Sequence, residues 1–258
     1  MQDWNPQLYS RYEDERTRPA RELLARVPLT HPSHVVDLGC GPGNSAELLV
    51  ARFPGARVTG VDNSRAMLES AARRLPGVDF VAADIKDWVP DSAPDLVYAN
   101  AALQWVGDHE TLIPRLFKAL APGGVLAVQM PDNRAEPTHR HMRELAAESP
   151  YREPIGDVSK LRTELLRIEE YYDLLAGQGA QVDVWHTVYQ HPMECAAAIV
   201  EWVRGTGLKP FVDPLSEDLR QKFLASYQQR IDSEYPVRSD GRRLLAFPRM
   251  FIVAQRPA

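Results

Sequence analysis

Cysteine is scarce in this chain. Of 258 residues only Cys40 and Cys195 carry thiols. One bridge is the most they could form, and Cys40 sits inside a glycine-rich turn where a disulfide would crowd a ligand. Two reduced thiols in a cytoplasmic protein are the simpler expectation. Long apolar runs are lacking as well. No stretch approaches the ~20 residues that span a bilayer, and the opening segment MQDWNPQLYSRYEDERTRP has no apolar run of the kind a secretory signal needs. A soluble cytoplasmic protein without membrane contact is expected. Basic excess is missing too: 30 Lys and Arg stand against 35 Asp and Glu, a net charge of −5. Duplex binding usually needs a basic face, so no nucleic-acid partner is expected. No metal site, internal repeat or low-complexity tract is foreseen. What remains is ordinary globular usage, 44% hydrophobic and 25% charged, enough to bury a sizeable core. The length suits one domain over residues 1–258. The oligomeric state is left open, with a monomer as the working expectation.

Periodicity divides the chain. Residues 5–27 carry Leu8, Tyr12, Leu23, Leu24 and Val27 among many charges, a weak helical pattern interrupted near Pro19. Short apolar runs follow: His34 to Leu38, Arg57 to Val61, Val78 to Val81, Leu96 to Ala99 and Val125 to Gln129. Between them lie helical stretches over Ser45 to Phe53, Arg65 to Leu75 and His109 to Leu120. Such alternation implies parallel strands with right-handed crossovers and helices on both faces, an α/β doubly wound sheet. Beyond Met130 the alternation breaks. Residues 131–168 are polar and proline-punctuated, with one or two short helices. Glu169 to Gln178 reads as a helix, Val182 to Tyr189 as a strand, and 192–235 as helical throughout. Arg242 to Gln255 reads as a closing strand perturbed by Pro248. The core therefore spans 33–130, with 1–30, 131–170 and 192–240 as cap and insertion segments.

In an open parallel sheet, ligands bind at the carboxyl ends of strands. Asp37-Leu-Gly-Cys-Gly-Pro-Gly43 follows the first strand and opens a helix. Gly39 and Gly41 let the backbone turn and approach a ligand without a Cβ, while the helix start offers free N–H groups. Standing alone, this loop could also be an unliganded turn, the lesser of the two readings. Asp62, ending the second strand, can accept two hydrogen bonds from ribose hydroxyls, although a turn or capping aspartate would look the same. Asp84 follows the third strand, where a carboxylate can meet an adenine amino group. A dinucleotide fingerprint would require a glycine at Asn44. Three such signals at three successive strand ends favour a nucleoside ligand of another kind.

Read as D-L-G-C-G-P-G, the loop resembles the first motif of class I S-adenosylmethionine methyltransferases, and Asp62 and Asp84 match that family's two acids. The resemblance covers residues 33–130 and implies a mostly parallel seven-stranded Rossmann-like sheet with an antiparallel last strand. It implies S-adenosylmethionine as cofactor, with S-adenosylhomocysteine as product. The implied cofactor residues are Asp37, Gly39, Cys40, Gly41, Gly43 and Asn44, then Asp62 and Asn63, Asp84 and Ile85, and Asn100. After the fourth strand, Asn100-Ala-Ala-Leu-Gln-Trp105 has nothing matching the Asn-Pro-Pro-Tyr of many amine methyltransferases, which disfavours that class. Gln104 and Trp105 are expected at the boundary between cofactor and acceptor.

Outside these motifs the chain is similar to the trans-aconitate methyltransferases. The matching residues include Asp3-Trp-Asn-Pro6, Glu22 to Leu29, Val128 to Asn133, Glu136 to His139, Tyr171 to Asp173 and Leu244 to Arg249. Membership implies methyl transfer to a carboxylate of trans-aconitate, a small tricarboxylic acid; the alternative is an S-adenosylmethionine-dependent methyltransferase acting on another small molecule. Such a carboxylate is ionised at neutral pH, so no general base is required. Holding a trianion requires convergent donors. The candidates are Arg16, Arg18, His139, His191 and Arg249, with Tyr9, Asn133 and Tyr172 as neutral donors. An N-terminal helix over the site would fit the aromatic residues near the start of the chain.

Overall fold

The computed structural model describes residues 13–161, 163–205 and 207–258, with side chains from Thr17 onward. Tyr9 and the side chain of Arg16 lie outside the described residues. The first helix, α1 (Glu13–Ala25), runs through Pro19. Proline removes one N–H to the carbonyl four residues earlier, but Ala20, Leu23 and Leu24 form a buried face that holds the helix in place.

The alternating region folds as β1 (His34–Leu38), α2 (Asn44–Arg52), β2 (Arg57–Asp62), α3 (Arg65–Arg74), β3 (Asp79–Ala82), β4 (Leu96–Asn100), α4 (His109–Lys118) and β5 (Val125–Pro131). A 3₁₀ turn, Leu103–Trp105, links β4 to α4. Then come α5 (Pro137–Ala146), α6 (Arg152–Ile155), α7 (Ile168–Ala176), β6 (Gln181–Met193), α8 (Ala196–Arg204), α9 (Lys209–Val212), α10 (Glu217–Glu234) and β7 (Arg243–Gln255). The seven strands form one sheet in the order β3-β2-β1-β4-β5-β7-β6. Strands β1 to β5 pair in parallel, and Asp37 stands between Gly60 on one side and Tyr98 on the other. The order reverses between β1 and β4, the place where α/β sheets bind ligands. Strands β1 and β4 are buried along almost their whole length, as expected of mostly apolar central strands of a parallel sheet. Edge strand β3 is largely exposed.

The last third departs from expectation. Strand β6 begins one residue earlier and reaches Met193, so the helical reading of 192–235 starts too soon. That stretch holds the helices α8, α9 and α10, separated at Gly205 and at the Ser216 cap. Strand β7 is continuous through Pro248, whose carbonyl accepts from Asp132 N at 3.0 Å. A proline loses only the donor half of its pairing.

Contacts divide the chain, expected as one domain with cap segments, into two compact units. Among the described residues, the first comprises those of 13–130, 164–186 and 250–258; the second, those of 131–163 and 187–249. In the first, Val36, Leu38, Val97, Leu126 and Ile252 of the sheet pack with Leu112, Leu116 and Phe117 of α4 and with Tyr171 and Leu175 of α7. The second is built on α10, whose Phe223, Tyr227 and Ile231 are fully buried. Tyr227 donates to the Thr138 carbonyl of α5 at 3.0 Å, and Tyr151 meets Phe223 edge-on at 5.1 Å. Among the described residues no helix is long and apolar enough to cross a membrane.

Candidate functional site

A cavity of about 370 Å³ opens in the first unit at the carboxyl ends of β1, β2, β3 and β4. That volume suits a ligand of nucleoside-plus-amino-acid size. Each strand end delivers one part of the wall. After β1 come Gly39, Cys40, Gly41, Asn44 and Ser45; after β2, Asp62, Asn63 and Met67; after β3, Asp84, Ile85 and Lys86; after β4, Asn100, Ala101, Ala102, Trp105 and Val106.

Asp62 organises the centre. One carboxylate oxygen accepts from Gly41 N at 2.9 Å and the other from Ser64 N at 2.9 Å. The residue therefore fastens the glycine loop to the end of β2. Each oxygen keeps a lone pair for a further donor. Capping of α3 falls to Ser64, which accepts from Met67 N.

The glycines have three different reasons. A Cβ on Gly39 would stand 2.3 Å from the Ala102 Cβ, and its φ is 71°. Its bareness thus lets the loop press against the segment after β4, rather than against a ligand. Gly41 has nothing within 4 Å of its missing Cβ, so it leaves room on the cavity side. Gly43 caps α2 at φ 96° and faces Ala71 of α3 at 3.3 Å, outside the cavity wall.

Asp37 does not line the cavity either. It is fully buried beneath the loop, where Ser45 Oγ donates to it at 2.6 Å. Its other oxygen has no hydrogen-bond partner among the described residues. Burial pushes its carboxyl up to about 7. The sequence motif thus marks a structural anchor for the loop. Cys40 is buried, and desolvation followed by the nearby carboxylates raises its thiol far above the ordinary range, which makes it inert as a nucleophile.

At the β3 end, Asp84 is exposed, lines the cavity, and one of its oxygens accepts from Lys86 N at 2.9 Å. Past β4, Asn100 lines the cavity and its buried Oδ1 has no partner among the described residues. A buried amide oxygen without a donor costs roughly 1–3 kcal/mol, so a ligand donor there would be favourable. Ala101 is left-handed at φ 54°, a conformation that costs a residue with a Cβ roughly 1–2 kcal/mol. Its N–H bonds Gln129 O at 2.9 Å and its carbonyl accepts from Gln104 Nε2 at 2.6 Å. Gln104 is buried and supports the wall instead of lining it. Trp105 does line it.

Helix α1 contributes Thr17 and Ala20, two residues on one face that sequence reading missed, although their spacing of three was available. Arg18, between them, points away. It is 65% exposed, its Nε donates to Glu22 at 2.8 Å, and it is not among the residues lining the cavity. Tyr172 is not among the lining residues either. It is 46% exposed on α7, while its neighbour Tyr171 turns inward. Four remaining candidates, Asn133, His139, His191 and Arg249, belong to the second unit. Asn133 and His139 are buried, and Thr138 Oγ1 lies 3.1 Å from His139 Nδ1. His191 stacks 4.7 Å from the Trp202 ring and 6.0 Å from Phe247. The guanidinium of Arg249 is buried 4.9 Å over Phe247. Among the described residues no cluster of His, Cys, Asp and Glu could hold a metal ion.

The residues at the four strand ends fit the nucleoside-bearing cofactor expected from the sequence: two carboxylates able to accept, an amide oxygen awaiting a donor, and a loop backbone free of a Cβ at Gly41. Comparison with known proteins agrees. Residues 35–124 match the family model described as Methyltransferase domain. The chain is 71% identical over 260 residues to the trans-aconitate 2-methyltransferase of Paracidovorax citrulli (strain AAC00-1), covering 100% of both. It is 71% identical over 259 residues, again 100% of both, to the enzyme of that name from Variovorax paradoxus (strain S110). Among solved structures, the YcgJ protein of Bacillus subtilis superposes with a TM-score of 0.62 at 15% identity, covering 93% of this chain and 99% of that one. That likeness speaks to the fold alone. A match of such identity over the full length carries the assignment: the chain belongs to the trans-aconitate 2-methyltransferase family of class I methyltransferases.

Proposed function

We propose that this protein transfers a methyl group from S-adenosylmethionine to a carboxylate of trans-aconitate, giving a monomethyl ester and S-adenosylhomocysteine. The observation that carries the reading is the cavity with Asp62, Asp84 and the unpaired Asn100 oxygen at successive strand ends, in a chain whose full-length relatives bear that name. When bound, S-adenosylmethionine supplies a methyl group activated on a sulfonium. Asp62 would accept from two neighbouring hydroxyls and Asp84 from an amino group. The N–H groups opening α2 and the Asn100 oxygen would meet the amino-acid end.

The acceptor needs no base, because a carboxylate is already ionised at neutral pH. The protein's work is then to position two reactants and to keep water out. Trp105 and Val106 present an apolar wall beside the polar β4 end. For the acid's charges, Arg249 is the foremost donor, with Asn133, His139 and His191 as supporting candidates. The test is an assay of the purified protein with methyl-labelled cofactor against a panel of di- and tricarboxylates and neutral acceptors. Base-labile label on trans-aconitate is expected. Turnover of a neutral acceptor, with none on any acid, would refute the proposal.

A further inference from the structure

Helix α4 lies behind the cavity and contributes none of its lining residues, yet two of its side chains grip two separate segments of the wall. At its first residue His109 is buried, with Nε2 2.9 Å from the Leu103 carbonyl and Nδ1 against the Tyr171 hydroxyl. A carbonyl only accepts, so Nε2 carries the proton and donates; Nδ1 then accepts from the tyrosine hydroxyl. Burial favours this neutral imidazole by lowering its pKa. The pair Tyr171–His109 thereby fixes the 3₁₀ turn that ends in Trp105. Six residues later, Arg115 spreads its guanidinium over the Ile85 carbonyl at 2.7 Å, the Lys86 carbonyl at 2.9 Å and the Trp88 carbonyl. Those residues form the loop after β3, where Asp84, Ile85 and Lys86 line the opposite end of the cavity.

We infer that α4 is a two-ended positioning element: His109, oriented by Tyr171, sets the turn at the transfer end of the cavity, and Arg115 sets the loop at the nucleoside end. In the sheet order β3-β2-β1-β4, β3 and β4 are the outermost of the four strands that frame the cavity, so the two grips act on different portions of the ligand set. The kinetic arm of this inference rests on the methyl transfer proposed above. Neither residue touches a reactant. Each acts through the backbone it holds, and the effects should therefore separate. Loosening the turn misplaces the acceptor relative to the methyl donor and lowers kcat. Loosening the loop weakens cofactor binding and leaves kcat at saturating cofactor in place.

The variants are His109→Gln, whose amide nitrogen falls near Nε2 and can still donate to Leu103, His109→Asn, whose amide falls near Nδ1 and cannot, and Arg115→Lys, which keeps the charge but not the fork. Steady-state kinetics on trans-aconitate are combined with calorimetric titration of S-adenosylhomocysteine. His109→Asn should lower kcat about tenfold or more with cofactor affinity within about twofold, and His109→Gln should recover to within about threefold. Arg115→Lys should weaken S-adenosylhomocysteine about fivefold or more, with kcat within about twofold. If His109→Asn does not fold, Tyr171→Phe carries the same kcat prediction. Variants that shift both parameters together, a Gln variant no better than Asn, or wild-type values throughout would overturn the inference. Should the wild type methylate no acid, the functional reading fails separately. The inference is then read from the ¹⁹F resonance of 5-fluorotryptophan at position 105, which should move in His109→Asn and not in Arg115→Lys. An unmoved resonance in His109→Asn would overturn it.

Discussion

Replacing Asp62 tests the centre of the proposed cofactor site, and its hydrogen bonds suggest how each substitution should behave. The wild-type carboxylate accepts from Gly41 N and Ser64 N, one bond per oxygen, and has lone pairs left for two ribose hydroxyls. Asp62→Ala removes all of these. Charge-assisted hydrogen bonds contribute roughly 1.5–3 kcal/mol. Because water enters this half-buried position once the ligand leaves, the net loss in cofactor affinity should lie within that range, about 13- to 160-fold. Asp62→Asn discriminates further. An amide offers one acceptor oxygen and one NH₂, and whichever way it turns, the NH₂ faces a backbone N–H, either Gly41 or Ser64. Two donors then confront each other, so the isosteric variant should bind the cofactor at least tenfold more weakly, by roughly one lost charged bond. Titration calorimetry with S-adenosylhomocysteine measures both, and the thermal midpoint reports whether the loop has come loose. An Asn variant with wild-type affinity would refute the reasoning. It would mean that neither the loop tie nor a ligand contact at Asp62 contributes to cofactor affinity.

Arg249→Ala should lower kcat/KM on trans-aconitate about tenfold or more, and Arg249→Lys should not fully restore it, since the ammonium lacks the bidentate fork. Unchanged cofactor affinity must accompany the loss, and wild-type kcat/KM in the Ala variant would remove Arg249 from the acid site. With a ready-made carboxylate as nucleophile, kcat should stay level between about pH 6.5 and 8.5, because the acceptor titrates below that range. A steep rise there, with chemistry shown to limit turnover, would point to a hydroxyl or amine acceptor. Asp37 gives a pH signature in stability. Its carboxyl is raised from 3.8 to about 7 by burial, so the folded state holds the proton more tightly than the unfolded chain. The resulting stabilisation is complete below about pH 4 and is lost as pH rises through about 7. Asp37→Asn, which stays neutral, should gain on the wild type across that window in urea unfolding, and parallel pH curves would contradict the assignment.

The sequence revealed the sheet of the first unit because β1, β4 and β5 are covered on both faces and so read as short, mostly apolar runs, β1 closed by Gly39 and β5 by Pro131. Asp62 and Asp84 were legible for the same reason, since a strand end predicts where a ligand meets the chain. The roles within the loop were not. Nothing local distinguishes Gly39, which yields to Ala102, from Gly41, which yields to the cavity. Arg18 and Thr17 sit side by side on a helix polar on most of its surface, so periodicity could not say which faces inward. For Tyr171 and Tyr172 the signal was present: Tyr171 and Leu175 lie four apart on one face and are both fully buried, while Tyr172 is exposed. His109 and Arg115 escaped notice because their partners lie far away in the chain, at Tyr171 and at residues 85–88.

The strand order has a consequence for diversification. The cavity's four contributors sit on four separate connections, and the switch point between β1 and β4 divides them. The β1, β2 and β3 ends carry the glycine loop, Asp62 and Asp84, whereas the 100–106 segment follows β4 and is held from β5 by Gln129 and from α4 by His109. Ala102 is its tightest tie to the loop, through the missing Cβ of Gly39. Substitutions at Trp105 or Val106 can therefore reshape what is admitted opposite the methyl donor without moving Asp62, Gly41 or Ser64. One scaffold can thus drift from acceptor to acceptor while its donor half stands still, and a library confined to that segment is the economical place to begin redesign.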